Sequence, residues 1–291
     1  MKRPWQPHDD SQKEARRARL AHIRAWRFFR ASLVIAAAIC VIVFLLLGGA
    51  EGLLRHEAVS GSPQPGDAAP LAKIAAQPQQ RLVPDGRPVV ALTFDDGPND
   101  SITPALIKVL NERGVTATFF MLGERIEQYP DVALLAYESG HQIASHTYNH
   151  KSPLTRLGEQ ELAREVNDAI GAIRGVIGED PAYMRPPFGE INRQTALTVG
   201  WPMILWTVDP RDWECQNADQ IYDVVMDNIY DGAVVLMHDK YDSTLEAAQR
   251  VIDTLIEQDW RFVTIEQYYQ LYGIDTLPGH VYRGQTEVML Q

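Results

Sequence analysis

Cysteine is nearly absent from this chain: of 291 residues, only Cys40 and Cys215 carry a thiol. One lies in an apolar run and the other in the acidic body of the chain. No intrachain disulfide is expected, and stability must come from core burial. No catalytic grouping surrounds Cys215, which reads as a bystander. Cys40 follows Ile39, where a lipoprotein signal would need a small residue, and reads as a membrane-buried apolar residue. Positive charge is also scarce, with 27 Lys and Arg against 38 Asp and Glu for a net charge of −11. The shortage is uneven. Before Ala31, nine Lys and Arg face three acids, so the first thirty residues carry +6 and the remainder −17. An acidic body excludes a nucleic-acid partner, which requires a basic face. A neutral sugar polymer raises no such conflict. The chain has no internal repeat, and nothing in it fixes an oligomeric state.

Charge disappears altogether from Ala31 to Ala50. As a helix, those residues would span roughly 30 Å, the thickness of a bilayer core. The Lys and Arg excess on the N-terminal side stays cytoplasmic by the positive-inside rule, placing the rest of the chain outside. The competing reading is a signal peptide cleaved near Gly48-Gly49-Ala50. Its apolar core is too long and its leader too large, so an uncleaved anchor is expected. From Glu57 to Gln80, Ala, Pro, Gln, Gly and Ser dominate, as in a spacer. The expected organisation is a basic cytoplasmic segment (1–30), a transmembrane anchor (31–50), a linker (51–80), a catalytic domain (81–275) and a surface tail (276–291).

In the body, short apolar runs alternate with amphipathic segments. Strands are expected at 88–94, 117–121, 142–145, 182–185, 203–208, 233–237 and 261–264. Thr103 with Pro104 opens a helix that Gly114 closes. Leu162, Val166, Ile170, Ile173 and Ile177 recur at helical spacing. Ser243 with Glu246, and Thr264 with Gln267, form capping boxes, the second before a helix ending near Gly273. Seven strands alternating with helices imply an α/β architecture with a parallel sheet, either barrel or open.

The chemistry gathers after the strands. Thr93-Phe94-Asp95-Asp96-Gly97-Pro98 places two adjacent carboxylates at the end of an apolar run. Two acids side by side repel each other and call for a cation; the competing reading is an ordinary acidic turn. Ser145-His146-Thr147-Tyr148-Asn149-His150 offers two His at i and i+4, a metal-ligand spacing. In a parallel α/β fold all strand C-termini share one face, so these segments meet there. Two His and a carboxylate leave positions open for water, as in a catalytic zinc site. Arg185-Pro186-Pro187-Phe188-Gly189, Asp209-Pro210-Arg211-Asp212-Trp213 and Leu236-Met237-His238 follow three further strands. Taken singly, each reads as structural.

In this order, the five segments resemble the polysaccharide deacetylase family, metal-dependent carbohydrate esterases with a distorted (β/α)7-type barrel. The resemblance covers roughly residues 85–270. It implies that Asp96, His146 and His150 hold Zn2+ or another divalent cation. It also implies that Asp95 is the general base, paired with Arg185, and that His238 is the general acid, paired with Asp212. A main-chain N–H at Phe188 would stabilise the oxyanion, and Trp213 and Leu236 would wall the site. Relatives often carry Tyr where this chain has Phe188, so a hydroxyl contact is lost while the main-chain donor survives. The implied substrate is an acetylated polysaccharide, and an anchored enzyme favours peptidoglycan. Acetylxylan, chito-oligosaccharides and a catalytically silent glycan-binding role remain open.

Overall fold

The computed structural model describes residues 83–290. The expected anchor and linker, and the basic segment before them, lie outside these residues. No helix among the described residues is long and apolar enough to cross a membrane.

The central strand, β1 (Val89–Asp95), is buried along its whole length. A strand covered on both faces needs the continuous apolar run that the sequence supplies here. It pairs in parallel with β2 (Thr118–Met121) on one side and β5 (Ala233–His238) on the other, and β2 pairs in parallel with β3 (Gln142–Ser145). A short β6 (Arg261–Phe262) pairs with the start of β1. Beyond β3 the sheet continues through single bridges. Met184 joins Ser145 on one side and Met203 of β4 (Met203–Leu205) on the other, and Val208 bridges back to Val235 of β5. These contacts close a barrel-like ring of parallel segments. The expected strand at 182–185 shrinks to a single bridging residue, Met184, because Pro181, Pro186 and Pro187 flank it and supply no N–H to a ladder.

The period of two along β1 sorts its side chains. Val90, Leu92 and Phe94 face outward into a core shared with α1 (Ile102–Glu112) and α8 (Asp242–Glu257), while Ala91 belongs to the interior cluster with Phe120, Ala144, Ile204 and Val234. By the same alternation, Thr93 and Asp95 extend the interior row toward the C-terminal mouth. The opposite end is plugged by α9 (Ile265–Tyr272), whose Tyr268 and Tyr269 are buried. Between these elements run α2 (Gly123–Gln128), α3 (Pro130–Glu138), α4 (Glu159–Ile177), α5 (Arg193–Val199), a single turn α6 (Asp212–Cys215) and α7 (Ala218–Asn228). Helix α4 buries Leu162, Val166, Ile170 and Ile173 of the stripe expected from spacing, while Ile177 at its end is half-buried.

Three local expectations are corrected. Helix α1 begins at Ile102, and the Asn99 carboxamide oxygen accepts from the N–H groups of Ser101, Ile102 and Thr103, so Asn99 caps it rather than Thr103. At α8, Tyr241 is the N-cap and Ser243 lies within the first turn, so the Ser243–Glu246 box does not form. The Thr264–Gln267 box does form. The expected surface tail is not a tail across the described residues 276–290: β7 (Val281–Arg283) pairs in parallel with β4 and turns back antiparallel into β8 (Thr286–Glu287). Val281 and Tyr282 are buried, because they cover a β4 edge that would otherwise carry unpaired backbone groups.

Candidate active site

Every parallel strand ends at the same mouth, which brings the separated motifs together. One cavity of about 560 Å³ is lined by Asp95, Asp96, His146, His150, Phe188, Trp213, Leu236 and His238. Arg185 and Asp212 lie directly behind its surface, both wholly buried. All ten residues singled out from sequence therefore meet in one place. A larger hollow of about 700 Å³ lies beneath α9 around Tyr183 and Tyr269. It contains none of these residues, so chemistry rather than size locates the site.

The backbone here is bent into forms that side-chain-bearing residues avoid. Asp96, Thr147, His150, Phe188 and Arg211 all have positive φ, and all lie in the loops carrying the motifs. Such conformations cost of order 1–3 kcal/mol each and persist where surrounding contacts impose them, commonly at functional sites. Gly97 is required for a different reason. A Cβ there would overlap the carboxylate of fully buried Asp239, which receives a hydrogen bond from the Thr103 hydroxyl at 2.6 Å. Burial pushes the Asp239 carboxyl up to about 7; the Thr103 hydrogen bond opposes this, while Asp96 and Asp95 add to it.

Asp96, His146 and His150 each offer a ligand atom, and these atoms lie within 4.8 Å of one another. The set fits a divalent cation on several counts. Asp96 Oδ1 is buried without a hydrogen-bond partner among the described residues, an orphaned acceptor that calls for positive charge. His146 Nδ1 lies 2.8 Å from the Arg185 carbonyl oxygen. That contact assigns the proton to Nδ1, leaving Nε2 as a lone pair, the arrangement of metal-ligating histidines. Burial, reinforced by His146, holds the His150 imidazole below its ordinary pKa, in the neutral form that ligates. For Asp96 burial works the other way, but His146, Lys240, His238 and His150 together keep its carboxyl below the usual range.

Asp95 and Asp96 are consecutive but point to different partners. Arg185 Nη1 donates to Asp95 Oδ1 at 2.6 Å and to the Thr93 hydroxyl at 2.9 Å, and its Nε donates to the Ile204 carbonyl at 3.0 Å. The guanidinium lies 4.0 Å from the Phe120 ring centroid and 5.7 Å from that of Trp206. The other Asp95 oxygen faces His146 Nε2 at 3.6 Å.

His238 stands opposite, in register with Asp95 on the neighbouring strand. Its Nδ1 is 2.7 Å from Asp212 Oδ1. Asp212 is saturated, accepting also from the His238 main-chain N–H, the Thr244 hydroxyl and the Trp213 N–H. Burial opposes the imidazolium, but the Asp212 hydrogen bond and charge, with Asp95 and Asp96 behind them, outweigh it and raise the His238 pKa to about 9. Phe188 sits at φ 60, ψ 5, with its ring 4.4 Å from that of His150.

Lys240, Trp206 and Tyr241 also line the cavity, and none of them was singled out from sequence. Lys240 Nζ lies 3.2 Å from Asp96 Oδ2. Its position two residues after His238 was the only signal available. Thr244, which anchors Asp212 across the fold, left no signal at all.

The chain is similar to known proteins in sequence and fold. A polysaccharide deacetylase family profile matches residues 83–200. The chain is 35% identical over 241 residues to the peptidoglycan-N-acetylglucosamine deacetylase PgdA of Listeria monocytogenes, covering 79% of this chain and 51% of that protein. It thus spans about half the length of that relative. A peptidoglycan-N-acetylglucosamine deacetylase of Bacillus cereus is 33% identical over 64% of this chain and 90% of its own length. The solved structure of the peptidoglycan deacetylase PdaC from Bacillus subtilis superposes with a TM-score of 0.61 at 36% identity, covering 62% of this chain and 90% of that one. The chain belongs to the polysaccharide deacetylase family.

Proposed function

We propose that this chain is a metal-dependent hydrolase removing N-acetyl groups from GlcNAc-type residues of a surface polysaccharide, with peptidoglycan first. One observation carries the reading. A single cleft holds a three-ligand cation site, a second carboxylate gripped by a buried Arg, and a carboxylate-backed His in register across from it. The names of the relatives support the choice of polymer.

Asp96, His146 and His150 would hold zinc or a similar dication, which supplies a lowered water pKa and a polarised acetyl carbonyl. Asp95 takes the proton from the attacking water, and Arg185 fixes that carboxylate in place. The Phe188 N–H donates to the oxygen that becomes negative at the acetyl carbon. His238, its Nδ1 held by Asp212, presents Nε2 to the leaving nitrogen and gives it a proton as the C–N bond breaks. Acetate and a free amine result. Trp213 and Leu236 are apolar walls for the acetyl group and sugar ring. Residues 31–50 would anchor the chain by a single span, and residues 51–80 would carry the domain away from the outer face of the membrane.

The full chain, purified in detergent with zinc, is expected to release acetate from peptidoglycan with a higher kcat/KM than from chitin oligomers or acetylxylan. Release from acetylxylan alone would move the reading to O-deacetylation. No release from any of them, with zinc shown to be bound, would favour a glycan-binding role.

The pH profile tests the acid. A pKa raised to about 9 keeps His238 protonated through neutral pH. Its contribution to stability is complete below the ordinary His range and is lost as pH rises through about 9. Activity is expected to fall on that alkaline limb. A bound dication weakens the contribution of Asp95 and Asp96, so the limb of the loaded enzyme lies at or below that value. Asp212→Asn should move it toward neutrality in a kcat/KM profile, and an unmoved limb would refute the pairing.

A further inference from the structure

The cleft has two lobes that meet at the metal ligands. The lobe already described sets its titratable groups between apolar walls of Trp206, Trp213 and Leu236. The second, about 420 Å³, shares Asp96, His150 and Lys240 with it and extends past Arg125 and Asn149. Its character is opposite. Arg125 Nη1 donates to Gln128 Oε1 at 3.2 Å, and Arg125 enters no ion pair among the described residues. Among the described residues Lys240 pairs only with Asp96, through Oδ2 at 3.2 Å, and its side chain is 41% exposed. Once a dication occupies Asp96, that carboxylate is neutralised and a second cation beside it is repelled. Lys240 then has to turn to another anion or to solvent. Glu124 is the other carboxylate on this wall, and the two cations outnumber it. With Asp96 engaged by a dication, this wall would carry an excess of positive charge in a protein of net charge −11, and a neutral glycan offers that charge no counterpart.

From this the geometry points to Lys240, with Arg125, as a specificity-determining pair that receives a carboxylate carried by the substrate next to the N-acetyl sugar being hydrolysed. The inference rests on the deacetylase reading above and deepens it: the preferred substrate is an acidic glycan rather than a neutral homopolymer. The carboxylate can stand on the sugar itself, as in a lactyl ether, or on an attached peptide. Lys240 is free to reach it only when the metal site is filled, so loading with metal and selecting the acidic substrate are coupled.

The test compares kcat/KM on three substrates at full zinc loading: a neutral chitin oligomer, peptide-free glycan strands bearing lactyl carboxylates, and strands with peptides attached. Lys240→Met is expected to lower the acidic-to-neutral ratio about fivefold or more, mainly through KM, as for a lost charge-assisted contact. Arg125→Met should lower it in the same direction, and added salt should compress the wild-type preference. Whichever acidic substrate shows the loss identifies the source of the carboxylate. Independently of activity, Lys240→Met should bind zinc about threefold tighter in competition with a chromophoric chelator, because a competing cation has gone. A ratio unmoved on both acidic substrates, or unchanged zinc affinity, overturns the assignment while leaving the deacetylase reading intact. Absence of acetate from every substrate would instead overturn that reading and this inference together.

Discussion

Asp95→Asn is expected to lower the turnover of acetate release by about 10²–10⁴-fold, the usual contribution of a positioned general base, while the protein still binds zinc. The substitution conserves shape. Its amide oxygen can still accept from Arg185 Nη1, which now meets Asp95 Oδ1 at 2.6 Å. What disappears is the capacity to take a proton from water. His150→Ala separates the other role, because it removes one of three ligand atoms and should weaken zinc binding before anything else. Isothermal titration with zinc and an acetate-release assay on the same preparations distinguish the two. Near wild-type turnover for Asp95→Asn would remove Asp95 from the proton transfer.

The second large effect is on stability. Arg185 is wholly buried, and its ion pair with Asp95 is closed off from solvent, with both side chains at 3% exposure or less. Taking charges out of water is expensive, and such a pair adds little to stability compared with apolar packing. Breaking it is another matter. Arg185→Met fills similar space but leaves Asp95 charged, buried and facing Asp96. The expected cost in the zinc-free protein is about 3–5 kcal/mol, a fall in melting temperature on the order of 10 °C for a domain of this size. Adding Asp95→Asn to the same chain removes the orphaned charge and should restore more than half of the loss. Thermal unfolding of the two single variants and the double variant completes the cycle. If the double variant melts no higher than Arg185→Met, the cost came from packing against Phe120 and Trp206 and not from charge.

Legibility varied with the range of the interaction. The β1 run from Val89 to Asp95 was readable because a strand buried on both faces must be apolar along its length. The α4 stripe and the Thr264–Gln267 cap were readable because their partners lie within a few residues of one another. Failures came where a local signal had a distant competitor. Thr103 looks like a helix cap, yet its hydroxyl is taken by Asp239, 136 residues away. The segment at 182–185 has strand composition, but the prolines around it leave one bridging residue, Met184. Val281-Tyr282-Arg283 with Gly284 after it carries a short hairpin pattern. Three residues fall below any period that can be counted, so spacing alone shows no strand there.

For the site, the five motifs and their order were in the sequence, and with them the identity of the ten residues. That follows because a parallel α/β fold sends every strand end to one face, so residues just past strands converge without any knowledge of packing. Residue type and spacing alone do not divide the labour between neighbours; the family resemblance does, and the fold supplies the physical reason. Asp95 and Asp96 differ by one position, but the alternation along β1 turns Asp95 inward to Arg185. The positive φ at Asp96 turns the next carboxylate toward His146 and His150. Only the folded chain also brings Lys240 and Arg125 to the cleft, since neither belongs to a motif and their approach depends on helix α2 meeting the turn after β5 at its rim. Residue type and order determined which chemistry is available; burial, backbone conformation and long-range pairing decided which atom performs which part of it.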